Sequence, residues 1–165
     1  MSPLDGGPEF EFANSRSTDE RFMRLALLEA AAALEEDETP VGAVVVQDGR
    51  VVGRGHNRVE ALGDATAHAE ILAIGAAATT LGDWRLNGAT LYVNMEPCIM
   101  CTGSLLLSRI RRLVYGLRDP RAGACGSRLD LLQANPYQHE MLLLDGCLAQ
   151  ESQALLSEFY RKLRD

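Results

Sequence analysis

Two short stretches hold residues whose types and spacing suit metal chemistry: His68-Ala69-Glu70, and Pro97-Cys98-Ile99-Met100-Cys101. A Cys-x-x-Cys pair by itself fits a redox site or half of a zinc ribbon, and here the ribbon's second cysteine pair is missing. A redox site has no use for a His-x-Glu beside it. One imidazole and two thiolates, with the fourth position open, are what a catalytic zinc ion needs. A structural zinc would want a fourth protein ligand, with His56, His139, Cys125 and Cys147 as the candidates, and would leave Glu70 without a task. With the position open, Glu70 can take a proton from an activated water and return it to a substrate.

These residues must be presented by helix starts. An Ala-rich helix is expected over 67–78, and a second over 98–108 with Pro97 at its opening. The partial positive charge of a helix start favours thiolate over thiol. Two residues along an ideal helix differ by about 200° in direction, so His68 and Glu70 converge only on a substrate that approaches the helix end.

Around these, a helix is expected from Thr18 to before Pro40, with Thr18 or Asp19 as its N-cap. Strands are expected at 41–47 and 50–56 about an Asp48-Gly49 turn, and at 89–94, 111–117 and 141–144. A short helix near 129–134 and an amphipathic helix over 148–163 complete the chain. The hairpin is antiparallel and the strand–helix–strand steps favour parallel pairing, which gives an α/β fold with a mixed sheet of about five strands. Residues 1–17, rich in Gly, Ser and acids, read as a disordered tail or leader, and 18–165 as one domain.

The chain has 165 residues, 47% hydrophobic and 24% charged, the balance of a soluble globular protein. No apolar run is long enough to cross a membrane as a helix, and the N-terminus lacks the pattern of a secretory signal, so a cytoplasmic protein is expected. A net charge of −7 argues at first sight against a nucleic-acid partner. However, residues 1–38 alone carry three Arg and ten Asp or Glu, while 109–128 hold six Arg against Asp119. A basic patch of that kind attracts phosphate even on an acidic protein.

The His-x-Glu and Pro-Cys-x-x-Cys pair resembles the signature of the cytidine deaminase-like zinc deaminases. Further segments are similar to the bacterial branch that acts on tRNA adenosine at the wobble position: Pro40-Val41-Gly42-Ala43, Gly55-His56-Asn57-Arg58, Thr66 to Ile71, Ala89-Thr90-Leu91-Tyr92-Val93, Glu96-Pro97-Cys98, Ser108-Arg109-Ile110 and Arg118-Asp119. The resemblance runs from about Asp19 to Arg164. It implies a three-layer α/β/α fold and one zinc ion per subunit, held by His68, Cys98 and Cys101. Glu70 would activate the water that attacks C6 of adenine, giving inosine. Asn57 would hydrogen-bond the target base and Val41 would form part of its apolar wall. Arg118 and Asp119 would touch the neighbouring nucleotide. Phe159, Tyr160, Arg161 and Arg164 would contact the anticodon loop, with Tyr160 the best candidate for stacking.

The resemblance also implies a homodimer whose partner is a tRNA anticodon stem-loop. A splayed base in a single-stranded loop reaches a buried metal at lower unstacking cost than one inside a duplex. The alternative is a zinc deaminase of a free nucleobase or nucleoside, of guanine or cytosine type, which would not need the arginine run. An inactive zinc-bound RNA-binding subunit would not need Glu70. Trp84 reads as structural.

Overall fold

The computed structural model describes residues 15–165. The tail expected over 1–17 therefore lies outside the described residues up to Asn14, while Arg16 and Ser17 are already helical. Helix α1 (Arg16–Glu35) is capped by Ser15, whose hydroxyl accepts from the Thr18 N–H, and not by Thr18 or Asp19. Asp19 has another task. It is buried, accepts the Tyr92 hydroxyl at 2.8 Å and receives both terminal nitrogens of Arg112 at 2.7 Å.

Strands β1 (Gly42–Gln47) and β2 (Arg50–His56) form the expected hairpin, with positive φ at both Asp48 and Gly49 as a tight primed turn requires. The one-turn helix α2 (Val59–Leu62) had no signal in the sequence. Helix α3 (Ala69–Leu81), strand β3 (Thr90–Met95), helix α4 (Ile99–Leu107) and strand β4 (Arg112–Leu117) follow. Strand β5 (Leu142–Leu144) and helix α5 (Ala149–Arg164) end the chain. The helix expected over 129–134 is instead a series of turns. There the Asp130 carboxylate accepts from the Leu132 and Gln133 N–H groups, a local bond that competes with helix formation.

The five strands form one mixed sheet in the order β2-β1-β3-β4-β5. β1 pairs antiparallel with β2 and β3, whereas β3–β4 and β4–β5 are parallel. Both faces are covered, so the central strands read as continuous apolar runs. Ala43, Val45, Leu91, Val93, Leu113 and Tyr115 pack on one face against α3 and α4, and Val44, Val46, Tyr92 and Val114 pack on the other against α1. This is the three-layer mixed architecture expected. Helix α3 lies close because its inner face is Ala69, Ala73 and Ala77, and because Gly53 of β2 has no Cβ, which would fall 2.4 Å from the Ala73 carbonyl oxygen. Among the described residues, no helix is long and apolar enough to cross a membrane.

Candidate active site

The backbone at the starts of α3 and α4 explains how two separate segments meet. His68 is the N-cap of α3, with extended φ −79° and ψ 153°, and Cys98 is the N-cap of α4, with φ −76° and ψ −179°. Neither side chain caps its helix, so both are free to point away from it. Each carbonyl accepts the first helical hydrogen bond, from Leu72 and Thr102 respectively. The expected divergence of about 200° between His68 and Glu70 does not arise, because α3 begins one residue after His68 rather than at Ala67. Cys101 sits in the first turn of α4, fully buried. Two helix N-termini thus aim their partial positive charge at the same point.

The His68 Nδ1 lies 3.6 Å from the Cys98 Sγ and 3.5 Å from the Cys101 Sγ. A tetrahedral zinc ion holds its nitrogen and sulfur ligands ~3.6 Å apart, given Zn–S of about 2.3 Å and Zn–N of about 2.0 Å. The donor set and its spacing therefore fit zinc, and the three ligand atoms lie within 4.8 Å of one another. None of the four candidate extra ligands joins them. His56 pairs with Glu29 and Glu36. The His139 Nε2 lies 2.7 Å from the Ile110 carbonyl oxygen, the Cys125 sulfur lies 3.2 Å from the Thr102 hydroxyl, and Cys147 packs on the α1 face of the sheet.

Without metal, the hydrogen bond from the Cys101 thiol draws the Cys98 pKa down to about 3, helped by His68. The same bond pushes the Cys101 thiol up, and the His68 imidazole is raised chiefly by its bond to Cys98. The Glu70 carboxyl, buried in the second position of α3, is pushed above the usual carboxylate range by desolvation. A buried carboxyl beside the ligand set is placed to accept a proton and to return it.

His68, Glu70 and Cys98 line a cleft of about 630 Å³, with Cys101 buried beside them. Val41 and Asn57 stand in its wall, with Asn57 held by Nδ2 donation to the Thr39 carbonyl and by the Val59 N–H. Asp119 also lines it, its carboxylate accepting from the Arg121 and Ala122 N–H groups of its own turn. Arg118 lies outside the lining, with its guanidinium donating to Asp145 at 2.6 and 2.8 Å. On α5, Phe159 and Leu163 line the cleft, whereas Tyr160 is 41% exposed on another side and Arg161 pairs with Glu158. Tyr160 is thus not among the residues that line the cleft, whereas its neighbour Phe159 is.

The arginine run does not form one patch. β4 separates its two ends by roughly 20 Å of strand, with Arg112 at the start and Arg118 beyond the end beside Met95 and the site. Arg112 is buried against Asp19, and Arg109 lies over the ring of Trp84. Trp84 itself, expected as structural, is half exposed between Arg85 and Arg109. Only Arg118, Arg121 and Arg128 remain in the loop by the cleft. Two buried carboxylates also stand in the wall, Glu38 and Glu96. Glu96 belongs to the Glu96-Pro97-Cys98 segment of the resemblance, which assigns it no role, and Glu38 has no signal beyond its place next to Thr39-Pro40. Asn94, without a role in the sequence, ties β3 to α5 through Ser152 and to β1 through the Gly42 N–H.

Comparison with known proteins agrees with this geometry. The profile of the cytidine and deoxycytidylate deaminase zinc-binding region matches residues 16–117. The tRNA-specific adenosine deaminase of Bacillus subtilis (strain 168) is 44% identical over 146 residues, which covers 88% of this chain and 91% of that protein. The tRNA-specific adenosine deaminase of Agrobacterium fabrum is 47% identical over 143 residues, 87% of this chain and 94% of that one. A solved structure from work on A-to-I editing by tRNA:A34 deaminases superposes with a TM-score of 0.80 at 47% identity, over 82% of this chain and 99% of that chain. The guanine deaminase of Nitrosomonas europaea superposes with a TM-score of 0.76 at 26% identity, over 86% and 84%. With ligand atoms spaced for zinc and likeness along most of its length, the chain belongs to the cytidine and deoxycytidylate deaminase family of zinc-binding enzymes.

Proposed function

We infer that the protein hydrolytically deaminates adenosine to inosine at the wobble position of a tRNA anticodon loop, in the cytoplasm. The observation that carries the reading is the meeting of the His68, Cys98 and Cys101 triangle with the buried Glu70 carboxyl at an open cleft. The relatives named tRNA-specific adenosine deaminases support the substrate. His68, Cys98 and Cys101 would hold one zinc ion per subunit, and zinc supplies a Lewis acid that makes water nucleophilic near neutral pH. Glu70 takes the proton of the attacking water and passes it to the purine ring nitrogen. It then helps C6 release ammonia, so adenosine and water give inosine and ammonia. Asn57, already fixed by its two backbone bonds, offers the base a hydrogen bond, and Val41 and Phe159 give it apolar walls.

Arg118 and Asp119 fit contacts to the neighbouring nucleotide, and Arg161 and Tyr160 fit contacts further along the RNA. A homodimer is supported by an apolar stripe on the outer side of α4, where Ile99 and Leu107 are 58% and 55% exposed. Half-exposed Trp84 and Tyr137 add aromatic surface of the kind enriched at interfaces. Light scattering of the purified protein would report the mass of two chains.

The test of the function is turnover of a synthetic anticodon stem-loop with adenosine at the wobble position, alongside free adenosine, guanine and cytosine. Inosine from the stem-loop and no product from the free compounds is the expected result. Equal or faster turnover of a free nucleobase would replace this reading by the nucleobase deaminase that the Nitrosomonas europaea likeness represents.

A further inference from the structure

Glu96 is 4% exposed, lies between β3 and the Pro97–Cys98 turn, and makes no contact that the chemistry needs. All of its side-chain hydrogen bonds go to one loop. The Oε1 accepts from the Asp119 N–H at 3.1 Å and from the Ser127 hydroxyl, and the Oε2 accepts from the Cys125 and Ser127 N–H groups at 3.1 and 3.2 Å. Those four bonds use the whole acceptor capacity of a carboxylate, which is about four lone-pair sites. They reach both ends of the loop that carries Asp119, Arg121 and, at its far end, Arg128. The closeness is extreme at Gly123, where a Cβ would fall 2.3 Å from the Glu96 carboxyl carbon. The same junction is fastened from the metal side, because the Pro97 carbonyl accepts the Ala124 N–H and the Thr102 hydroxyl.

We propose that Glu96 is a positioning residue for substrate recognition: its buried carboxylate locks the loop 119–127 to the turn bearing Cys98, and so sets where Arg121 and Asp119 meet the RNA relative to the metal. The proposal rests on the tRNA reading above. Physically, a solvated arginine loop contributes little to specificity, because ordering it on binding offsets what its phosphate contacts gain. A loop held before the RNA arrives avoids that entropic cost. Glu38 does the same for the opposite wall, accepting the Glu60 and Ala61 N–H groups at the start of α2.

The variant to make is Glu96→Gln, which keeps the shape but offers one acceptor oxygen in place of two and turns an N–H₂ toward loop donors. Zinc per chain is expected to stay at one. KM for the stem-loop is expected to rise roughly tenfold or more, with the loss falling on KM rather than kcat. A merely structural role would lower the active fraction, which reduces kcat and leaves KM alone. Gly123→Ala is the second variant. It leaves Glu96 intact and pushes the loop off it, and the same rise in KM is expected. In both, hydrogen exchange of the Asp119, Cys125 and Ser127 amides should quicken while that of α3 and β3 does not. An unchanged KM in both variants, or exchange that quickens throughout the protein, overturns the proposal. Should the wild-type protein fail to convert the stem-loop, the substrate reading falls. Exchange and salt-dependent binding of the same RNA, compared between wild type and variants, then still decide the clamp.

Discussion

His68 and Glu70 from one segment, both at the cleft, meet Cys98 and the buried Cys101 from another, although some thirty positions of chain lie between them. The six arginines of 109–128 are far closer together in sequence, yet the fold parts them. β4 is laid through the middle of the run, so Arg112 closes a buried ion pair at one end of the sheet while Arg118 and Arg121 stand at the other, beside the site. Proximity in sequence is a poor guide to a charge patch when a strand intervenes, because each residue of strand adds about 3.3 Å. Spacing at a helix start is a good guide to a ligand set, because one turn returns the chain to nearly the same place.

Four experiments test whether the two regions are as separate as this. The largest effect is expected at the cleft: Glu70→Ala should keep zinc and fold but lower kcat about a thousandfold or more, since the proton carrier is gone. Metal analysis and stem-loop turnover together check this, and full turnover would remove Glu70 from the chemistry. Next comes Arg112→Ala, which leaves Asp19 buried and unpaired and should cost roughly 3 kcal/mol of stability in denaturant titrations, without changing the salt dependence of RNA binding. A change in that dependence would put Arg112 back with the RNA contacts.

Stripping the metal should expose a sharp order among the cysteines at pH 7. Cys98, held down to about 3 by the Cys101 hydrogen bond, is thiolate at any pH well above that value and should be alkylated first. Burial pushes Cys125 up to about 12 and Cys147 up to about 11, so both remain neutral thiols and should react slowly. Mass spectrometry of the metal-free and zinc-loaded forms reads the difference, and zinc should protect Cys98. The smallest effect is Arg121→Ala, expected to weaken stem-loop binding several-fold and to flatten its salt slope by about one unit, with stability changed by less than about 0.5 kcal/mol. Equal affinity at all salt concentrations would remove the loop arginine from recognition.

The strands, α4 and α5 are legible to within a residue or two, because their apolar periods and turn residues are local signals, whereas α1 ends at Glu35, well before Pro40, and α3 runs on to Leu81. The Asp48-Gly49 turn and the 50–56 strand are as read. The starts of α1 and α3 were misplaced for one reason. A cap is chosen by backbone geometry, and His68 in extended conformation looks the same in sequence as His68 inside a helix. The turns over 129–134 were read as a helix because their leucines are periodic, whereas Asp130 takes the backbone donors for itself. The roles of Glu38 and Glu96 are not legible in the sequence, although Glu96 lies in a segment of the resemblance, since a buried carboxylate differs from a solvated one only in the donors that the fold brings to it.

The sequence by itself determined the chemistry. An imidazole and two thiols at helix-start spacings point to a metal, in agreement with the zinc-binding family, because ligand type and turn geometry are local properties. Tertiary structure alone decided that Arg112 is buried against Asp19 while Arg121 stays in an exposed loop, that Phe159 rather than Tyr160 lines the cleft, and which acids hold its walls. Those are matters of direction and burial, fixed only when strands, helices and loops from distant parts of the chain pack against one another.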